Sequence, residues 1–144
     1  MGLAGLPRGR RVAPSILSAD FARLGSQVEM VLEAGARVIH VDVMDGDFVP
    51  PITIGPLIVG AIADLVHDAG GAIDVHMMIE RPEAQVGEFA KAGADSITFH
   101  AEATPHSHRL IGAIHEAGCE AGVAINPGTP VAALAEVAAD ADLL

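Results

Sequence analysis

The chain has 144 residues, 51% of them hydrophobic, with no Trp or Tyr and only four Phe; that is enough for one domain with a packed aliphatic core. A net charge of −11 argues against nucleic acid and anionic membranes as partners, and no apolar run reaches the roughly 18 residues of a membrane span. The single cysteine, Cys119, leaves no intrachain disulfide and fits a reducing, cytoplasmic setting, where it reads as a small buried hydrophobe at a strand start.

Met1 to Arg11 carries Arg8, Arg10 and Arg11 without the apolar stretch of a signal peptide, and reads as a flexible basic tail. Residues 12–144 read as one domain. A first strand is predicted over 12–17, followed by a helix whose stripe is Phe21, Leu24, Val28, Val31 and Leu32. A strand at 38–43 leads to a second helix with its stripe at Leu57, Ile58, Ala61, Ile62 and Leu65. Strands follow at 72–77, 95–100 and 120–126, with Leu110, Ile111 and Ile114 marking the helix between the last two. Thr129 as N-cap and Pro130 as first helical residue predict a further helix. A sixth strand is predicted to begin at Ala141. Ala34-Gly35, Ala69-Gly70, Ala92-Gly93 and Ala117-Gly118 each precede a strand. Each glycine suits the left-handed position that ends a helix.

Strands alternating with amphipathic helices predict βαβ units, a parallel sheet and an α/β fold. At roughly 25–30 residues per unit, the chain holds about five and a half of the eight units of a (β/α)8 barrel. Side chains two apart in a strand share a face. One face carries Val38, His40, Asp42 and Met44, then Asp74, His76 and Met78, then Thr98, His100 and Glu102, then Gly122, Ala124 and Asn126. Polar groups near the C-terminal strand ends match the catalytic layout of a barrel. An open nucleotide-binding sheet would place a Gly-rich turn after its first strand. Ser15 to Asp20 contains no glycine, which disfavours a flavin or nucleotide module.

His40-Val41-Asp42 and Asp74-Val75-His76 carry the chemistry. Imidazole nitrogen and carboxylate oxygen are ligands for Zn²⁺, Fe²⁺, Mn²⁺ or Co²⁺, and His40, Asp42 and His76 would hold one such divalent ion. Asp42 would also move a proton with its other oxygen. His100 and Glu102 read as lining or supporting groups, and Met44 and Met78 as an apolar wall above the ligands. Pro105-His106-Ser107-His108 has ligand-like spacing but reads as a solvent-facing helix start.

The segments Pro14–Phe21, His40–Gly46, Phe48–Pro50 with Ile54–Pro56, Asp74–Met78 and Asn126–Pro130 closely resemble the ribulose-phosphate 3-epimerase family, from about residue 12 to the end. The resemblance implies a TIM barrel of the ribulose-phosphate-binding group and a homo-oligomer at full length. It implies the pentose phosphate pathway reaction that interconverts D-ribulose 5-phosphate and D-xylulose 5-phosphate through a cis-enediolate. Its substrate would be a phosphorylated ketose. Asp42 matches the first acid/base of the family, and His40, Asp42 and His76 match three metal ligands. Ser15, His40, His76, Met44 and Met78 match substrate-side residues. The family's second acid/base Asp and its Gly-rich phosphate loops find no match within residues 1–144. The chain therefore reads as an N-terminal part of the enzyme, poorly stable, aggregation-prone and inactive as an epimerase on its own. A sibling epimerase on a hexulose 6-phosphate such as allulose 6-phosphate would use the same residues. A non-catalytic, metal-binding truncation is the reading from a different class.

Overall fold

Four short, largely apolar runs form the sheet of the computed structural model, which describes residues 2–6 and 9–144. They are β1 (Val38–Met44), β2 (Ala72–Met78), β3 (Ser96–His100) and β4 (Glu120–Ala124), all parallel and adjacent in chain order. The helices between them are α1 (Leu24–Glu33), before β1, then α2 (Pro56–Asp68), α3 (Val86–Ala92) and α4 (Ser107–Glu116). Strand alternation sends Ile39, Val41, Ile73, Val75, Met77, Ile97, Phe99 and Ala121 under the helices, where each is fully buried. They pack there against Val28, Leu32, Ile62, Phe89, Leu110 and Ile114. The opposite face carries the polar residues. The glycines of the helix-end repeat, Gly35, Gly70, Gly93 and Gly118, all take the expected left-handed φ, between 70° and 107°.

The register matters most for function. His40 pairs with Asp74, Asp42 with His76, and Met44 with Met78. The two motifs therefore stand at equal height on neighbouring strands. On β4, Gly122 is constrained by its neighbour: a Cβ there would lie 2.9 Å from Thr98 Cβ, so only glycine lets β4 approach β3.

Several expected elements differ. The strand predicted over 12–17 is reduced to a single bridge between Ser15 and His40, with His40 N–H donating to Pro14 O at 2.9 Å. Pro14 has no N–H to give a ladder, and Ser15 Oγ accepts the Leu17 N–H, which turns the chain into a 3₁₀ turn at Ile16–Ser18. The sixth strand is likewise one bridge, Gly122 to Leu143. Of the expected α2 stripe, Ile62 is buried and Ile58 and Leu65 pack partly buried against the core, but Ala61 is exposed and Leu57 is 89% exposed; Val59, Ala63 and Val66 are buried instead. This helix is apolar nearly all round, so packing rather than pattern selects the face. Thr129 does not cap a helix: its hydroxyl donates to Glu102, and only a 3₁₀ turn follows at Val131–Leu134.

Within the stretch expected to be a tail, Leu6 is buried against Val38 and Ala72 at the N-terminal end of the sheet. Ala4 N–H donates to Glu120 Oε1 at 2.8 Å. Met1, Pro7 and Arg8 of that stretch lie outside the described residues. No helix among the described residues is long and apolar enough to cross a membrane.

Candidate metal and proton-transfer site

Period-two alternation and the in-phase β1–β2 register bring His40, Asp42 and His76 to one point. One ligand atom from each lies within 4.8 Å of the others, the one such group among the described residues. The two oxygens of Asp42 have separate surroundings. Oδ1 faces His40 Nε2 at 3.2 Å and His76 Nδ1 at 3.4 Å. Oδ2 accepts a hydrogen bond from Ser15 Oγ at 2.6 Å.

Asp74 settles the tautomer of His40. Its Oδ2 lies 2.8 Å from His40 Nδ1; a carboxylate accepts, so the ring proton sits on Nδ1. The other nitrogen, Nε2, then turns a lone pair toward Asp42 Oδ1. Two electron-rich atoms at that separation repel unless a positive charge lies between them. Without a metal, a proton can fill that role: the hydrogen bond to Asp74 outweighs burial and holds His40 above its ordinary pKa. Two imidazole nitrogens, a carboxylate oxygen and a supporting carboxylate behind one imidazole fit a divalent ion.

The remaining electrostatics suit that use. Burial alone would raise the Asp42 pKa. The Ser15 hydroxyl and the neighbouring His40 and His76 more than offset it and hold Asp42 below its ordinary value. Asp42 is thus ionised and able to accept a proton. Burial, reinforced by His100, keeps His76 below its ordinary pKa. It is therefore neutral, the form that binds a metal.

Met44 and Met78, half-buried, pair with each other one step above Asp42 and His76 on the same face. His100 stacks on His76, with ring centroids 5.0 Å apart. The Pro105–His108 segment does not join the site: the His108 side chain is 81% exposed and 3.9 Å from Asp140.

Three residues around the site had no role assigned from sequence. Thr53 Oγ1 donates to Asp42 O at 2.8 Å and accepts from Met44 N at 2.9 Å, tying the loop after β1 across the acid. Asp45 accepts the Asp47 and Phe48 N–H groups on one oxygen and the Glu80 N–H on the other, which joins the loops after β1 and β2. Burial would raise its pKa, but these donors prevail and lower it. Phe48 lies 4.9 Å from the His100 ring and covers that side of the site. Asp45-Gly46-Asp47 is a local turn signal that could have flagged the anchor; nothing local marks Thr53.

The model of the ribulose-phosphate 3 epimerase family matches residues 11–144. A ribulose-phosphate 3-epimerase of Bacillus subtilis is 54% identical over 134 residues, covering 93% of this chain and 60% of the relative. One of Synechocystis is 56% identical over 135 residues, covering 92% and 57%. A chloroplastic ribulose-5-phosphate-3-epimerase of Arabidopsis thaliana is 51% identical, covering 92% and 47%. The chain thus spans 47–60% of the length of these relatives. The chain belongs to the ribulose-phosphate 3-epimerase family.

Proposed function

We propose that this chain carries the metal-holding, proton-abstracting part of an epimerase that acts at C3 of D-ribulose 5-phosphate and leads to D-xylulose 5-phosphate. One observation carries the reading: Asp42 shows one oxygen to two imidazoles and the other to Ser15. The first oxygen joins His40 and His76 in holding one Zn²⁺, Fe²⁺, Mn²⁺ or Co²⁺. The second is left for proton transfer. A bound divalent ion supplies stabilisation of negative charge that develops on the oxygens beside the reacting carbon.

A C–H next to a ketone is a weak acid, and a carboxylate removes its proton quickly only when that charge is stabilised. Ser15 fixes the Oδ2 lone pairs, and Thr53 fixes the backbone beneath Asp42. Met44 and Met78 form an apolar wall that keeps water from the carbanionic carbon. Inversion needs a second acid on the opposite face of the substrate. Proton removal and return on one face needs Asp42 alone. The buried thiol of Cys119 is in keeping with a reducing, cytoplasmic setting.

Deuterium wash-in at C3 of D-ribulose 5-phosphate in D₂O, followed by NMR with the Zn²⁺-loaded chain, tests the proposal. Wash-in is expected, and Asp42→Asn is expected to slow it by roughly 10²–10⁴. No wash-in with the loaded wild-type chain would contradict the activity and favour a metal-binding role without chemistry. Faster wash-in on allulose 6-phosphate would move the substrate to the hexulose sibling.

A further inference from the structure

We infer that Asp45, Glu83 and Glu102 are positioning residues that latch the loops after all four strands into one rim around the metal and proton-transfer site. Their effect on proton transfer rests on the function proposed above; the latches themselves do not. Every latch has the same polarity, in which a carboxylate of one loop accepts from the loop of the next unit. Asp45, after β1, takes the Glu80 N–H, after β2, at 2.7 Å. Glu83, after β2, takes the hydroxyl of Thr104, after β3. Glu102, after β3, takes the Asn126 N–H at 2.7 Å and the Thr129 hydroxyl, both after β4. Bonds to a carboxylate are about twice as strong as bonds between neutral groups, so they suit segments that are otherwise the mobile part of a fold.

The latches are joined along the chain. Glu80 and Glu83 flank Arg81, whose φ of 51° makes it the one non-glycine residue with positive φ among the described residues. Such a backbone persists only where its surroundings hold it, and here one latch grips each side of it. The second latch passes to the third through Thr104, which is buried. Its Oγ1 also accepts the His106 N–H at 3.1 Å, which fixes it within the loop that carries Glu102. The rim begins just beyond Asp42. Asp45 Oδ1 takes the Asp47 and Phe48 N–H groups at 2.9 Å each, which sets Phe48 against His100. Glu80, held on the other oxygen, closely follows Met78 of the apolar wall.

Amide-exchange and methionine-methyl ¹³C NMR of the full chain test the rim. Asp45→Asn is the sharpest variant: its amide oxygen keeps the Asp47 and Phe48 N–H groups, and its NH₂ is left facing the Glu80 N–H. Glu80 exchange is expected to speed roughly tenfold while Phe48 exchange holds. The Met78 methyl resonance should move, whereas that of Met77, on the buried face, should stay. Glu83→Ala tests continuity: Glu80 exchange should rise there too, and Glu83→Gln, which keeps an acceptor for Thr104, should restore the wild-type rate. Core amides of β2 and β3 should keep their rates throughout; faster exchange there as well would make these residues general supports of the fold and overturn the rim. Unchanged Glu80 exchange in Asp45→Asn overturns the first latch, and a change in Glu83→Ala confined to Thr104 and His106 overturns the continuous rim. C3 wash-in by the Zn²⁺-loaded Asp45→Asn chain should slow roughly tenfold at wild-type Zn²⁺ affinity, because the ligands stand on β1 and β2. Wash-in at the wild-type rate with the loop released overturns the positioning role. No wash-in by the wild-type chain overturns the function proposed above, and the exchange and methyl results then decide the latches on their own.

Discussion

Cys119 illustrates how burial decides chemistry at the scale of one residue. Its thiol donates to Ala94 O at 3.1 Å inside the core. Burial, helped by the nearby Asp95 charge, pushes its pKa up to about 11. The thiolate is the reactive form, so a disulfide-exchange reagent should label the folded chain far more slowly than the urea-unfolded chain. Equal rates would place Cys119 at the surface. Asp142 makes the opposite case. The Ala121 N–H, and then His115, lower its pKa, so it contributes stability that is present above the unfolded carboxylate pKa and fades as pH falls through its folded value. Asp142→Asn should therefore lose stability near neutral pH, by no more than about 1 kcal/mol for so exposed a pair, and show a shallower decline in acid. A parallel pH–stability curve would show that the interaction contributes nothing.

At the scale of elements, the same device appears twice. His67 near the end of α2 bonds Asp95 Oδ2 at 2.8 Å, and that oxygen also takes the Ile73 N–H that follows the first residue of β2. His115 near the end of α4 bonds Asp142 Oδ2 at 2.8 Å, and that oxygen takes the Ala121 N–H on β4. An Asp entering one unit thus ties the helix and strand of the unit before it. Strands β1 to β3 were legible because Val, Ile and Phe alternate with polar residues, and β4 because Ala117-Gly118 precedes a short run of small apolar residues. The first strand was not, because Pro14 and Ser15 replace a ladder with local bonds. The helix expected at Thr129 does not form because Glu102, 27 positions earlier, takes the capping hydroxyl. In α2 an almost uniformly apolar surface hid the buried face. That face is testable: Val59→Ala should cost about 2 kcal/mol and Leu57→Ala less than about 0.5, as read by urea unfolding. The reverse order would restore the stripe centred on Leu57.

At the scale of the molecule, the parallel βα units place this chain in the TIM-barrel class of its family. They divide the labour between the two faces of the sheet. The outer face is closed by helices, whereas the inner face carries the two histidines and the carboxylate near the C-terminal ends of β1 and β2. These ligands were legible because period-two alternation and equal strand heights suffice to bring them together. Phe48, Thr53 and the Glu102–Thr129 link were not, because they depend on loops that meet only in the fold. The central claim is that His40, Asp42 and His76 hold one divalent ion. Calorimetric titration of the metal-free chain with Zn²⁺ tests it most directly, with Asp42→Ala and His76→Ala alongside. One ion per chain is expected, with affinity falling by more than roughly a hundredfold in either variant, a larger loss than removal of a supporting residue causes. No binding by the wild type, or variants that bind Zn²⁺ as tightly, would contradict it.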